Sequence, residues 1–164
     1  MNGAGSGPGG LRSRRQRFAG TFQRWPSLIP EAGTERVQES GRANADRIAV
    51  GTRPDGLDQA VEASRDRKGT DILVLDLRGL SDATDHFLLV TGTSDTHVRS
   101  IAEHIIEKLK ESGVRPSHVE GLRSGRWVLI DCIDFVVHVF HPAAREFYQL
   151  ERLWGDAPAQ ALEA

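Results

Sequence analysis

Residues 127–142 read WVLIDCIDFVVHVFHP, and the way this stretch divides decides the fold. Tryptophan, valine, isoleucine and phenylalanine dominate it, the types that fit a pleated, half-buried surface. Residues 126–131 and 134–140 are each of strand length. Cys132 and Ile133 stand between them as a hairpin connection, although neither is a favoured residue of a two-residue turn. Side chains along a strand alternate between faces. His138 therefore lies with Asp134, Val136 and Phe140, and His141 with Phe135, Val137 and Val139. Histidines on opposite faces do not converge on zinc, which wants about four N, S or O ligands in tetrahedral reach. Trp127 shares its face with Leu129 and Asp131. The polar residues of this stretch read as docking and turn chemistry laid on structural strands.

Working outward, residues 71–77 (DILVLDL) and 86–92 (HFLLVTG) are continuous apolar runs, as expected of strands covered on both faces. The polar loop RGLSDATD joins them. Ahead of them, LDQAVEASRDRKG places Leu57, Ala60, Val61 and Ser64 on one face of a short helix, with Gly69 as its stop. Ser94 reads as the N-cap of the longest helix. Val98, Ile101, Ala102, Ile105 and Leu109 recur along it at helical spacing, and Gly113 ends it. PSHVEG predicts a short edge strand. HPAAREFYQLERLW predicts one closing helix, with Pro142 in its first turn and Phe147, Leu150, Glu151, Leu153 and Trp154 marking its packed side and border. The order α-β-β-α-β-β-β-α specifies an α/β (α+β) domain, a mixed sheet of about five strands with helices packed on it. This domain spans residues 55–156, and residues 157–164 are a short tail.

Residues 1–54 differ in kind. MNGAGSGPGG has linker composition, and LRSRRQRFAGTFQRW is basic without a sustained helical period, so the segment reads as a disordered basic extension. It carries nine arginines, no lysine and four acidic residues; from residue 55 onward there are 12 basic and 19 acidic residues, a balance of −7. The extension is a solvated tail, an organelle transit peptide, or a basic arm that touches RNA through Arg12, Arg14, Arg15 and Arg17. The acidic domain is poorly suited to gripping nucleic acid and well suited to docking on a basic protein. No stretch approaches the ~18 apolar residues of a membrane span. A single cysteine, Cys132, excludes an intrachain disulfide.

Few residues of this chain are candidates for catalytic chemistry. TGTSDTH, residues 91–97, is a strand end, a glycine turn and a helix start, which can bind an anion and is similar to the opening of nucleotidyltransferase folds. Those enzymes hold divalent metal with carboxylates spaced D-x-D on one strand face. None occurs here, and Asp131 and Asp134 flank a turn instead. Cys132 has no acid–base partner fixed by the sequence. No P-loop or G-x-S-x-G is present, and no G-x-G-x-x-G joins a strand to a helix. A nucleotide-binding enzyme of nucleotidyltransferase fold stays as the alternative to a binding protein.

DILVLDL, TDHFLLVTGTSDTHVRSIAEHI, EGLRSGRWVLIDCIDFVVHVFH and REFYQLERLW occur in this order at close spacing. Together they resemble the ribosomal silencing factor family, RsfS, also called Iojap, over about residues 55–156. The resemblance implies a nucleotidyltransferase-like fold without the catalytic carboxylates, and a protein that is not an enzyme and needs no cofactor or metal. It implies binding to large-subunit ribosomal protein L-fourteen, steric exclusion of the small subunit, and repression of translation when nutrients are short. It further implies help in large-subunit maturation, homodimers in several members, and a bacterial cytoplasmic location, or an organellar one if the extension is a transit peptide. Carried over by motif position, the residues expected at the ribosomal partner are Trp127 first, then Thr84, Asp85, Ser94, His97, Glu120, Arg145 and Tyr148. The family often has glycine where this chain has Ile133.

Overall fold

The computed structural model describes residues 53–164. The expected elements are present, with two more at the C-terminus. They are α1 (Leu57–Asp66), β1 (Thr70–Asp76), β2 (His86–Thr91), α2 (Asp95–Glu111), β3 (His118–Glu120), β4 (Trp127–Asp131), β5 (Phe135–Phe140), α3 (Pro142–Tyr148), α4 (Leu150–Leu153) and β6 (Ala159–Leu162). Among the described residues the strands form one six-stranded sheet in the order β3-β4-β5-β2-β1-β6. β2 and β5 pair in parallel at its centre, and every other pairing is antiparallel. Both central strands are buried along their whole length, which is why they read as unbroken apolar runs.

The pleat divides the core in two. Val128, Ile130, Val137, Val139, Leu88 and Val90 face α1 and α2, which bring Leu57, Val61, Val98, Ile101, Ile105 and Leu109. Leu129, Trp127, Val136, Phe140, Phe87 and Leu89 face the opposite way, where Leu77, Leu150, Trp154 and Ala157 cover them. α2 is capped as its sequence requires: the Ser94 side chain accepts from the His97 N–H, and Gly113 follows the helix end at φ 86°. Gly92 is needed for space, because a Cβ there would sit 2.9 Å from the Val98 backbone nitrogen, too close for any side chain. α1 ends earlier than expected, with Lys68 rather than Gly69 in the left-handed region at φ 57°.

Two expectations are corrected. The sheet has six strands, because residues 157–164, read as a tail, carry β6. Leu75, Val74, Leu73 and Ile72 of β1 pair with Ala159, Gln160, Ala161 and Leu162. The closing helix is two helices, broken by Gln149 at φ 45°. The break turns Phe147 to solvent, where it is 80% exposed, while Leu150 and Trp154 reach the core. The hairpin expected between β4 and β5 is present and turns on Ile133 at φ 74°, a conformation that favours glycine. There the Asp134 N–H donates to the Cys132 carbonyl at 2.9 Å, closing a three-residue γ-turn, and the buried Asp131 carboxylate accepts from the Ile133 N–H at 2.8 Å.

A candidate protein-docking surface

The second core is aromatic, and α3 forms part of its lid. Trp127 stacks on Phe140 with ring centroids 4.9 Å apart, and Tyr148 of α3 lies 4.5 Å from the indole. The indole N–H donates to His138 Nδ1 at 3.1 Å. Phe87 meets His138 edge-on at 4.6 Å. Enclosure pushes the His138 pKa down to about 3, so the ring stays neutral and can serve as an acceptor. Outside the lid, Phe147 rests edge-on against Tyr148 at 5.0 Å. Phe147 and Tyr148 are thus the outer layer of an aromatic stack whose inner layers are Trp127 and Phe140.

This arrangement encloses Trp127. Expected as the leading contact with the partner, it is 3% exposed. A side chain so enclosed presents little surface of its own and supports the aromatics that reach the surface. Thr84 is 1% exposed, and the Asp85 N–H at the far end of β2 donates to the Asp134 carbonyl, so that loop ties β2 to the β4–β5 turn. Ser94 and His97 hold backbone together. His97 Nδ1 accepts from the Thr93 N–H at 2.9 Å, and its Nε2 lies 2.6 Å from the Arg67 carbonyl, joining α2 to the end of α1. Arg145 reaches inward: its guanidinium donates to Glu151 at 2.6 Å, to the Asp71 carbonyl at 2.6 Å and to Thr91 Oγ1 at 2.7 Å. Glu120 lies on the edge strand, opposite Leu129 in register, and pairs with His118 at 2.9 Å.

Of the eight candidates, then, the fold brings Trp127 and Tyr148 into contact, with Glu120 on the same sheet face. It sets the others into local scaffolding. Sequence reasoning missed Phe147 as an outward residue. Ala144 and Tyr148, four apart, both pack on the second core. With the helix ended at Gln149, that spacing leaves Phe147 outside; a single continuous helix through Trp154 hid the fact.

The remaining titratable groups carry structural work. Burial raises the Asp131 pKa and pushes the Cys132 thiol up to about 12, so that thiol is a core group rather than a nucleophile near neutral pH. Hydrogen bonding from Arg78 lowers the Asp76 pKa, and burial lowers that of His86. Among the described residues, no three His, Cys, Asp or Glu side chains are grouped to hold a metal ion, and no helix is long and apolar enough to cross a membrane.

Comparison with known proteins agrees with this architecture. Residues 51–164 match the family described as "Ribosomal silencing factor during starvation" (RsfS). The chain is 45% identical to ribosomal silencing factor RsfS of Bacillus subtilis over 104 residues, covering 63% of this chain and 88% of that protein. A crystal structure from Chromobacterium violaceum aligns with a TM-score of 0.60 at 42% identity, over 62% of this chain and 84% of the other. The mouse "mitochondrial assembly of ribosomal large subunit protein 1" is 30% identical over 101 residues, covering 60% of this chain and 44% of that protein. The family match over residues 51–164, with the shared fold of a solved structure at 42% identity, decides the assignment: this chain belongs to the ribosomal silencing factor (RsfS) family.

Proposed function

We propose that this protein represses translation by docking on ribosomal protein L-fourteen of the large subunit, where its bulk excludes the small subunit. Family membership supports a ribosomal role. The observation that carries the docking reading is Phe147: a large aromatic, 80% exposed, seated on Tyr148 over a rigid aromatic stack. Aromatic anchors on a preorganised base are the typical energetic centres of protein interfaces. The balance of −7 from residue 55 onward complements a basic ribosomal protein. On this reading the protein acts in the bacterial cytoplasm by occupying a surface and makes or breaks no bond. Docking on free large subunits also suits a role in their maturation, the process for which the mouse relative is named.

Sedimentation of tagged protein with ribosomal subunits tests the reading. Association with free large subunits alone is expected; association with small subunits, or with neither, refutes it. Phe147→Ala should weaken binding to purified L-fourteen by about 2 kcal/mol, the scale of an interface anchor, with an unchanged melting temperature. Unchanged affinity in that variant would move the interface away from α3.

A further inference from the structure

We infer that Arg99, Arg123 and Arg126 form a contact for the phosphate backbone of ribosomal RNA, beside the aromatic docking surface. The inference rests on the ribosomal reading above and adds a second class of partner to it.

The three arginines converge from two elements. Arg99 lies in the second turn of α2, and its guanidinium donates to the Arg123 carbonyl at 3.0 Å. Arg123 and Arg126 are exposed on the loop between β3 and β4. That loop is fixed. The Gly125 N–H donates to the Gly121 carbonyl at 3.0 Å, the Ser124 hydroxyl accepts from the Arg126 N–H at 3.3 Å, and Leu122 packs against the first core. Gly125, at φ 67°, lies so close to α2 that a Cβ would come within 2.4 Å of the Asp95 carbonyl. The loop is therefore pressed against the first residue of the helix and presents its arginines from a rigid base.

Helix-end electrostatics does not explain why Arg123 and Arg126 stand beside the start of α2. The first turn of a helix is the positive end of its dipole, where acids are favoured and cations are not. The domain has acids in excess, yet three arginines gather at this corner. The Asp95 carboxylate lies 3.8 Å from the Arg126 Nε, and both side chains remain substantially exposed, at 43% and 60%. With Glu103 one helical turn beyond Arg99, two carboxylates stand against three guanidiniums, which leaves the corner cationic on an acidic domain. Guanidinium groups match phosphate oxygens in charge and fork geometry. The corner is also continuous with the proposed docking surface. The Arg126 carbonyl accepts from the His141 N–H at 2.8 Å, and His141 caps α3, which bears Phe147 and Tyr148. A surface of this kind, aromatic in one part and cationic in the next, fits a ribosomal site made of protein and RNA side by side.

The test uses the full chain and its R99Q/R123Q/R126Q variant, with circular dichroism melting to confirm the fold. On whole large subunits the variant should lose about tenfold in affinity, and the slope of log affinity against log salt should fall by about two, as expected when phosphate contacts are removed. On isolated L-fourteen its affinity should stay within twofold of the parent. Equal losses on both targets, or no loss on subunits, overturn the assignment. A photo-crosslinking residue at position 123 should label RNA; labelling of a ribosomal protein instead also overturns it. If the parent protein binds neither target, the ribosomal reading itself fails, a result distinct from every arm above.

Discussion

At the scale of single residues, Ile133 and His138 show what the fold asks of individual side chains. Ile133 is β-branched and sits at φ 74°, where a branched Cβ crowds the backbone. Half-burial of its side chain offsets part of that strain. Ile133→Gly should therefore stabilise the domain by about 1 kcal/mol, read as a higher urea midpoint, since left-handed backbone costs an ordinary residue about 1–2 kcal/mol. A lower midpoint would show that the side chain's packing outweighs its strain. His138 governs the response to acid. Its folded pKa is depressed from 6.5 to about 3, so the unfolded chain takes up the proton first as pH falls. Stability is full above pH 6.5 and declines as pH falls toward 3. His86, also depressed by burial, acts in the same sense; Asp131, raised by burial, opposes it, and the lowered Asp76 adds a further loss below about pH 4. Urea titrations between pH 6.5 and 4 should show stability falling by about 1 kcal/mol per pH unit. His138→Gln should flatten that slope, and an unchanged slope would assign the acid response elsewhere.

Elements show where sequence reasoning was sufficient and where it was not. The strands of the 127–142 stretch were legible because alternation and turn spacing are local properties, and the opposite facing of His138 and His141 follows from them alone. α2 was legible because its period, its Ser94 cap and its Gly113 stop agree. The break at Gln149 carries no such mark: glutamine is not a usual left-handed residue, and the helix stops there so that Leu150 and Trp154 can reach the sheet. The burial of Trp127 was equally hidden, because it depends on where α3 lands. β6 was missed because AQAL is short and alanine-rich, and it becomes a strand only by pairing with β1. Its contribution is measurable. Leu162 packs on the first core, Ala157 is buried in the second, and Gln160 accepts from Arg53. Ending the chain at residue 156 removes these contacts and leaves β1 as an unpaired edge. It should lower stability by about 3 kcal/mol, from roughly 1 kcal/mol for each well-buried group and more for lost pairing, and promote association through that edge. Loss of less than about 1 kcal/mol, without association, would make β6 an accessory strand.

For the whole molecule, the distinction that matters is between blocking and signalling. The proposed function is exclusion by volume. Exclusion has a thermodynamic signature. If this protein and the small subunit compete for one face of the large subunit, each must weaken the other by mass action, and the weakening must be reciprocal. Adding small subunits at about nine times their dissociation constant should reduce the protein's apparent affinity for large subunits about tenfold, since the loss follows one plus the ratio of concentration to dissociation constant. The loss should continue to grow in proportion as more small subunit is added. Order of addition should affect only the rate of approach, so mixtures begun from joined ribosomes and from free subunits should reach the same final distribution. Light scattering with fluorescence anisotropy can follow both partners together. A loss that levels off while small subunit is still rising would mean that both bind at once, and would replace exclusion with coupling between separate sites.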